Sequence, residues 1–224
     1  MLRRRDGRTA IRSGDLGLCM DASRDQYRAI ASRYDRKLQI RLGERTRRQA
    51  FADFDLRAGD TVLDIGCGTG LSFPLIEKAI GPSGKLIGIE PSPEMLAAAQ
   101  QRADASGWKN VKFIEASADD ADTSERADAL IIFRVHEILR SQSALEHLLQ
   151  LVKPGARLLV VGVKWAPWWA LPVNLVIWRQ TKSVTTSHEG FQRPWDILAD
   201  LVPNLSVRSV NVGAEFIARG TTAA

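Results

Sequence analysis

The sequence predicts an α/β domain, a mostly parallel sheet covered by helices on both faces. Three observations carry that expectation. Short β-branched and apolar runs alternate with helix-length segments from Thr61 to Val163. Those runs are apolar throughout, as strands buried on both faces are. The first of them, Val62-Leu63-Asp64-Ile65, leads into Gly66-Cys67-Gly68-Thr69-Gly70. A glycine-rich turn at the carboxyl end of a first strand is where such a sheet lets a nucleoside-bearing ligand approach the backbone closely.

The elements follow in order. Residues 1–20 read as a flexible basic arm, and residues 21–224 as one domain, since 224 residues suit a single substantial core. Over residues 21–54, Tyr27, Ile30, Ala31, Tyr34, Leu38 and Leu42 recur at three- and four-residue spacing. They share one helical face, which makes this region a helical cover packed over the sheet. Residues 61–65 form the first strand, after the turn signal Gly59-Asp60. A helix then runs from about Gly70 through Leu71, Leu75, Ile76 and Ile80, with Pro74 tolerated in its first turn and Gly81-Pro82 stopping it. The second strand, 85–89, ends at Glu90, and the alanine-rich stretch 91–105 is a helix turning Met95, Leu96 and Ala99 inward before Ser106-Gly107. Residues 111–115 and 127–133 are the third and fourth strands, 141–152 a helix and 156–163 the fifth strand. After an aromatic insertion at 164–195 come a short helix at 196–201 and a hairpin of 205–210 with 214–218 through Asn211-Val212-Gly213.

Composition narrows the setting. Cys19 and Cys67 offer no disulfide framework, and the opening Met1-Leu2-Arg3-Arg4-Arg5 has no apolar signal core behind it, so a reducing, cytoplasmic location is expected. Residues 1–50 hold 14 Lys/Arg against 6 Asp/Glu, and the remainder 17 against 20. A basic amino-terminal region can attract nucleic acid, an anionic membrane surface or an acidic substrate, or simply be a solvated helix face. Arg41, Arg45, Arg47 and Arg48 lack the interleaved aromatics and zinc spacing of a nucleic-acid module, which counts against nucleic acid. No metal is expected.

The loop spelling decides the ligand class. Glycines at 66, 68 and 70 give G-x-G-x-G, not the dinucleotide G-x-G-x-x-G, and no Walker-type lysine follows them. Glu90, at the end of the second strand, sits where a carboxylate accepts hydrogen bonds from both ribose hydroxyls. With Asp64, the three glycines and Glu90 in this order, the chain resembles the class I S-adenosylmethionine-dependent methyltransferases, especially the ubiquinone/menaquinone-type small-molecule branch. The matching passages are VLDIGCGTG at 62–70, GIEPSPEML at 88–96 and LLQLVKPGARLLVVG at 148–162. The resemblance implies a Rossmann-like seven-stranded sheet of order 3-2-1-4-5-7-6 with the last strand antiparallel, and S-adenosyl-L-methionine as cofactor. It also implies that Asp64 with Gly66, Cys67, Gly68 and Gly70 holds the methionine portion, and that Glu90 holds the ribose. Pro91 and the stretch Ser92 to Met95 would lie near the adenine. Where the family usually has an Asp after the third strand, this chain has Ser117, followed by Ala118 and Asp119; Ser117 or Asp119 would meet the adenine amino group.

The transferred group needs positioning more than covalent help, because a sulfonium is already activated. His136 follows the fourth strand, within reach of the same crevice, and is the candidate general base, with Glu137 to orient it or bind a cationic substrate. The plainer reading, that it caps the following helix or lines the methionine pocket, outweighs the catalytic one. Arg134 is grouped with the cofactor-binding residues; it either meets an anionic group or pairs with Glu137. Tyr27 and Tyr34 of the cover are candidate substrate contacts or plain core. Residues 165–178 carry four of the six tryptophans between Lys164 and Arg179, and 14 residues are too few to span a bilayer. Trp165, Trp168 and Trp169 fit a lid over a hydrophobic or ring-bearing acceptor; a shallow membrane contact and a homodimer interface are the other readings. His188, Glu189, Phe191, Arg193 and Trp195 follow in the same insertion. The function expected is methyl transfer to a small, hydrophobic or aromatic acceptor. RNA or protein as acceptor, and a non-catalytic cofactor-binding scaffold, are the alternatives.

Overall fold

The computed structural model describes residues 39–181 and 190–223. The basic arm, Tyr27, Tyr34, most of the expected cover, His188 and Glu189 lie outside the described residues. What is described opens with α1 (Gln39–Ala52), followed by β1 (Thr61–Ile65), α2 (Phe73–Ile80), β2 (Lys85–Ile89), α3 (Pro93–Ser106) and β3 (Val111–Ile114). Then come β4 (Ala127–Phe133), α4 (His136–Leu139), α5 (Gln142–Gln150) and β5 (Val152–Val163). A 3₁₀ turn (Trp168–Ala170), α6 (Leu171–Thr181), α7 (Asp196–Leu201), β6 (Ser206–Val210) and β7 (Glu215–Thr221) complete the chain.

The strands form one seven-stranded sheet of order 3-2-1-4-5-7-6. The pairs β3·β2, β2·β1, β1·β4 and β4·β5 are parallel, while β7 runs antiparallel to both β5 and β6. The order reverses beside β1, so the carboxyl ends of β1, β2 and β4 border one crevice.

Strand alternation divides the core into two layers. Leu63, Ile65, Ile87, Ile89, Leu130 and Ile132 pack on one face with Leu145 and Leu148 of α5 and Leu198 of α7. Val62, Leu86, Ala129, Ile131 and Phe133 pack on the other with Ala50 of α1, Phe73, Ile76 and Ile80 of α2, and Ala99 of α3. Asp64 shares the β1 face of Val62 and therefore looks toward α1 to α3. The helices start and stop where local chemistry requires. Ser92 caps α3 by accepting from the Met95 N–H at 3.3 Å, and Ser141 caps α5 by accepting from the Ala144 N–H at 3.2 Å. Gly107 ends α3 in the left-handed region at φ 73°.

Two elements differ from the sequence expectation. β5 begins at Val152, four residues before the expected 156, because Ala127 pairs with Val152 ahead of a register shift. That irregularity accommodates Pro154 and Gly155, which a regular ladder would not. The tryptophan-rich insertion contains an 11-residue helix, α6, that its composition did not announce. Pro172 occupies its second position, where a missing N–H costs nothing, so the proline that looked like a breaker opens the helix.

Candidate active site

The crevice is built on the loop after β1. The Gly66 and Cys67 N–H groups donate to the Ile89 carbonyl at 2.8 and 3.1 Å, tying the turn to the end of β2. Gly66 has φ +65°, and a Cβ there would collide with Val135 Cγ2, so neither the conformation nor the space admits a side chain. Gly68 has φ +55°, but a Cβ there meets only Met95 Sδ, at 3.8 Å. Gly68 thus leaves an opening above the loop, where its backbone is free to approach a ligand. Arg102 of α3 holds the loop from outside, donating from Nε to the Thr69 carbonyl at 2.9 Å.

Two carboxyl groups lie beneath this opening. Glu90 is buried, and its oxygens accept from the Gly68 N–H at 3.0 Å and the Ser92 N–H at 3.1 Å. A carboxylate offers about four acceptor sites, so two are left for a ligand. Burial raises its pKa, and the two amide hydrogen bonds oppose the rise. Asp64 is 1% exposed, and neither of its oxygens has a hydrogen-bond partner among the described residues. Burial drives its pKa up to about 7; nearby Arg47 pulls it down and the Glu90 charge pushes it further up. Native interiors rarely leave a carboxyl without partners, because desolvation goes uncompensated. Cys67 sits beside both groups, and burial, followed by the two neighbouring carboxylates, pushes its thiol well above the ordinary range. It is packing, not a nucleophile.

Arg47 is the functional candidate that sequence reasoning passed over. Among the basic residues of α1 it turns inward, with Nε 3.2 Å from Ser72 Oγ and its guanidinium carbon 4.4 Å from the Phe133 ring centroid. It supplies the positive charge facing Asp64. The signal was available: Gly43, Thr46 and Ala50 are buried, so Arg47 belongs to the sheet-facing stripe of α1 at i+3 and i+4 spacing.

The other candidate residues fall into three groups. Met95 is buried on α3 beside Gly68, Ala118 is buried in the loop after β3, and Pro91 is half-buried at the end of β2. Ser117 Oγ donates to Asp120 at 2.6 Å, and the exposed Asp119 accepts from Ser143 Oγ of α5 at 3.3 Å. Arg134 leaves β4 at φ 61° and ion-pairs with Glu215 of β7. Thr46 donates to the same carboxylate, and Asn211 Nδ2 donates to Thr46 Oγ1 at 2.8 Å, so this cluster pins α1 to the hairpin. His136 opens α4 with its ring 4.1 Å from the Phe191 ring, and the Trp165 ring packs 5.7 Å from the same Phe191. The Trp165 N–H donates to the Phe191 carbonyl at 2.9 Å. Trp168 and Trp169 instead stand in solvent, 82% and 61% exposed. Among the described residues no group of three or more His, Cys, Asp or Glu could hold a metal ion, and no helix is long and apolar enough to cross a membrane.

Comparison with known proteins gives the class. A family described as a methyltransferase domain matches residues 56–187, more than half of the chain. The demethylmenaquinone methyltransferase of Oceanobacillus iheyensis is 27% identical over 140 residues, covering 60% of this chain and 59% of that protein. The ubiquinone/menaquinone biosynthesis C-methyltransferase UbiE of Pseudomonas fluorescens is 30% identical over 141 residues, covering 60% of this chain and 55% of that protein. The matches thus span little more than half the length of these relatives. A solved S-adenosylmethionine-dependent methyltransferase from Aquifex aeolicus shares the fold with a TM-score of 0.61 at 23% identity, covering 87% of this chain and 98% of that one. The chain belongs to the methyltransferase-domain family, the S-adenosylmethionine-dependent class. Its residues fit that cofactor on two observations: the unpartnered Asp64 carboxyl suits a cationic group, and the open Gly68 position leaves room for one.

Proposed function

We propose that the chain is an S-adenosylmethionine-dependent methyltransferase acting on a small hydrophobic or aromatic acceptor. The observation that carries this reading is the buried, unpartnered Asp64 carboxyl beneath a glycine loop and beside Glu90. Arg47 offsets its desolvation only in part, and a cationic group that donates hydrogen bonds to it would complete the compensation.

When bound, the cofactor supplies a methyl group already activated on a positively charged sulfur. In this reading Asp64 takes the ammonium of its amino-acid end, and the guanidinium of Arg47 takes the carboxylate. The free acceptor sites of Glu90 take the ribose hydroxyls, while Pro91, Met95 and Ala118 wall the adenine and Ser117 or Asp119 meets its amino group. Two buried carboxylates also make the crevice floor anionic, which favours a sulfonium over a neutral or anionic nucleoside. On the acceptor side, Trp165, Phe191 and His136 form a contiguous aromatic wall that favours a planar or apolar molecule. His136 can receive a proton on a ring nitrogen from an acceptor hydroxyl, and Glu137 can orient the ring. An acceptor that is already a strong nucleophile needs neither. The two relatives named for quinone biosynthesis support a ring-bearing acceptor. No observation on the described residues favours RNA or protein as acceptor.

Calorimetric titration with S-adenosylhomocysteine and, separately, NAD tests the cofactor assignment. The former is expected to bind and the latter not; the reverse pattern refutes the assignment. A screen of metabolite fractions graded by polarity, read as S-adenosylhomocysteine formation, then finds the acceptor in the apolar fractions.

A further inference from the structure

The exterior of the insertion carries a surface that methyl transfer does not use. One side of the segment packs inward: Ala170 and Ile177 join Phe191 in a small satellite core, and Thr181 is buried. Its opposite side exposes Trp168 82%, Trp169 61%, Leu171 68%, Leu175 64% and Val176 52%. At 100° per residue, Leu171, Pro172, Leu175, Val176 and Arg179 share one arc of α6. A helix apolar on both sides lies in a core or against lipid, and this one has a core on one side only.

Charge distinguishes the occupants. No Asp or Glu occurs between Glu146 and Glu189 in the sequence, and the segment itself is bracketed by Lys164 and Arg179. Tryptophans bracketed by lysine and arginine, with no acid, match the boundary between an anionic headgroup layer and its acyl chains. A second copy of the chain fits less well. An 11-residue helix is about 17 Å long, and a stable dimer buries about 800 Å² on each partner. Two-fold pairing of this face would also bring Arg179 close to its own copy. Shallow insertion into a bilayer needs neither the area nor the shape match.

We propose that the Trp168–Leu175 face of the insertion docks on an anionic lipid bilayer, lying in the headgroup region with α6 parallel to the surface. This assignment stands independently of the cofactor reading, since none of its arguments uses the crevice.

The test is co-sedimentation of the full chain with vesicles of phosphatidylcholine alone or mixed with phosphatidylglycerol, with tryptophan emission followed in parallel. The protein is expected to bind the mixed vesicles with a blue shift, to bind phosphatidylcholine far less, and to release at high salt. A Trp168→Ser/Leu175→Gln variant is expected to bind about tenfold more weakly, with its thermal midpoint retained. Should the double variant not fold, Arg179→Glu serves, with the same loss expected for mixed vesicles. Absence of binding by the wild type overturns the proposal. So does undiminished binding by the folded variants, which would move the contact to the amino-terminal region. A dimer that the double variant splits, with no vesicle binding, would make the face a self-association surface and equally overturn it. Loss of S-adenosylhomocysteine binding bears on the crevice alone and leaves these outcomes readable.

Discussion

Asp64→Asn is the substitution with the most distinctive expected signature. Asp64 titrates at about 7 rather than at its ordinary 3.8. A folded-state pKa above the unfolded one means the native protein binds more protons between those values. Stability from this group is therefore full below pH 4 and falls as pH rises toward 7. About three units at 1.36 kcal/mol each give about 4 kcal/mol of destabilisation once the carboxyl is ionised. Asparagine keeps the shape without the charge but leaves an unpaired amide, worth about 1–3 kcal/mol. The net expectation at pH 8 is a variant more stable by about 2 kcal/mol, or about 4–8 °C in Tm for a chain of this size. At pH 5 the carboxyl is protonated and the two proteins should melt within about 2 °C of each other. Scanning calorimetry at both pH values reads this directly. The same variant should bind S-adenosylhomocysteine about 10- to 100-fold more weakly, the worth of one charge-assisted hydrogen bond. A variant less stable than wild type at pH 8, or a difference independent of pH, would refute the reasoning.

Three further outcomes are expected. Gly68→Val places a β-branched residue at φ +55°, at a cost of about 1–2 kcal/mol; the protein should fold, with circular dichroism unchanged, yet give no calorimetric heat with S-adenosylhomocysteine. His136→Ala should slow methylation of an acceptor hydroxyl by about 10²–10⁴-fold, and a near-normal rate at saturating acceptor removes His136 from the role of base. Glu215→Ala removes the carboxylate that Arg134, Thr46 and Asn211 share and should cost about 3 kcal/mol, seen as a lower urea midpoint with an unchanged slope.

Much of the architecture was legible because periodicity and turn chemistry agreed. β1 and β2 fall where their apolar runs and flanking glycines set them, β4 where its apolar run does, and Ser92 and Ser141 cap helices α3 and α5. The ligand loop was legible for a different reason: Gly66 answers to a backbone conformation that no other residue adopts cheaply. The insertion was harder to read. Four tryptophans and two prolines gave neither a helical nor a strand period, and α6 is apolar on both sides, so no polar face marked its register. Its inward residues separate from its outward ones only through contact with Phe191, which is remote in sequence. Arg47 was obscured by its neighbours, since Arg45 and Arg48 are exposed and the group reads as one solvated face. The pairing of Arg134 with Glu215 joins residues 81 positions apart, and the nearer Glu137 looked an equally good partner. Long-range ion pairs leave no local trace in a sequence.

A crystal structure with S-adenosylhomocysteine addresses the main assertion most directly. Its ammonium is expected within hydrogen-bond reach of Asp64, and both ribose hydroxyls on Glu90. Ligand density elsewhere, or an Asp64 carboxyl still without a partner in the complex, would contradict the account.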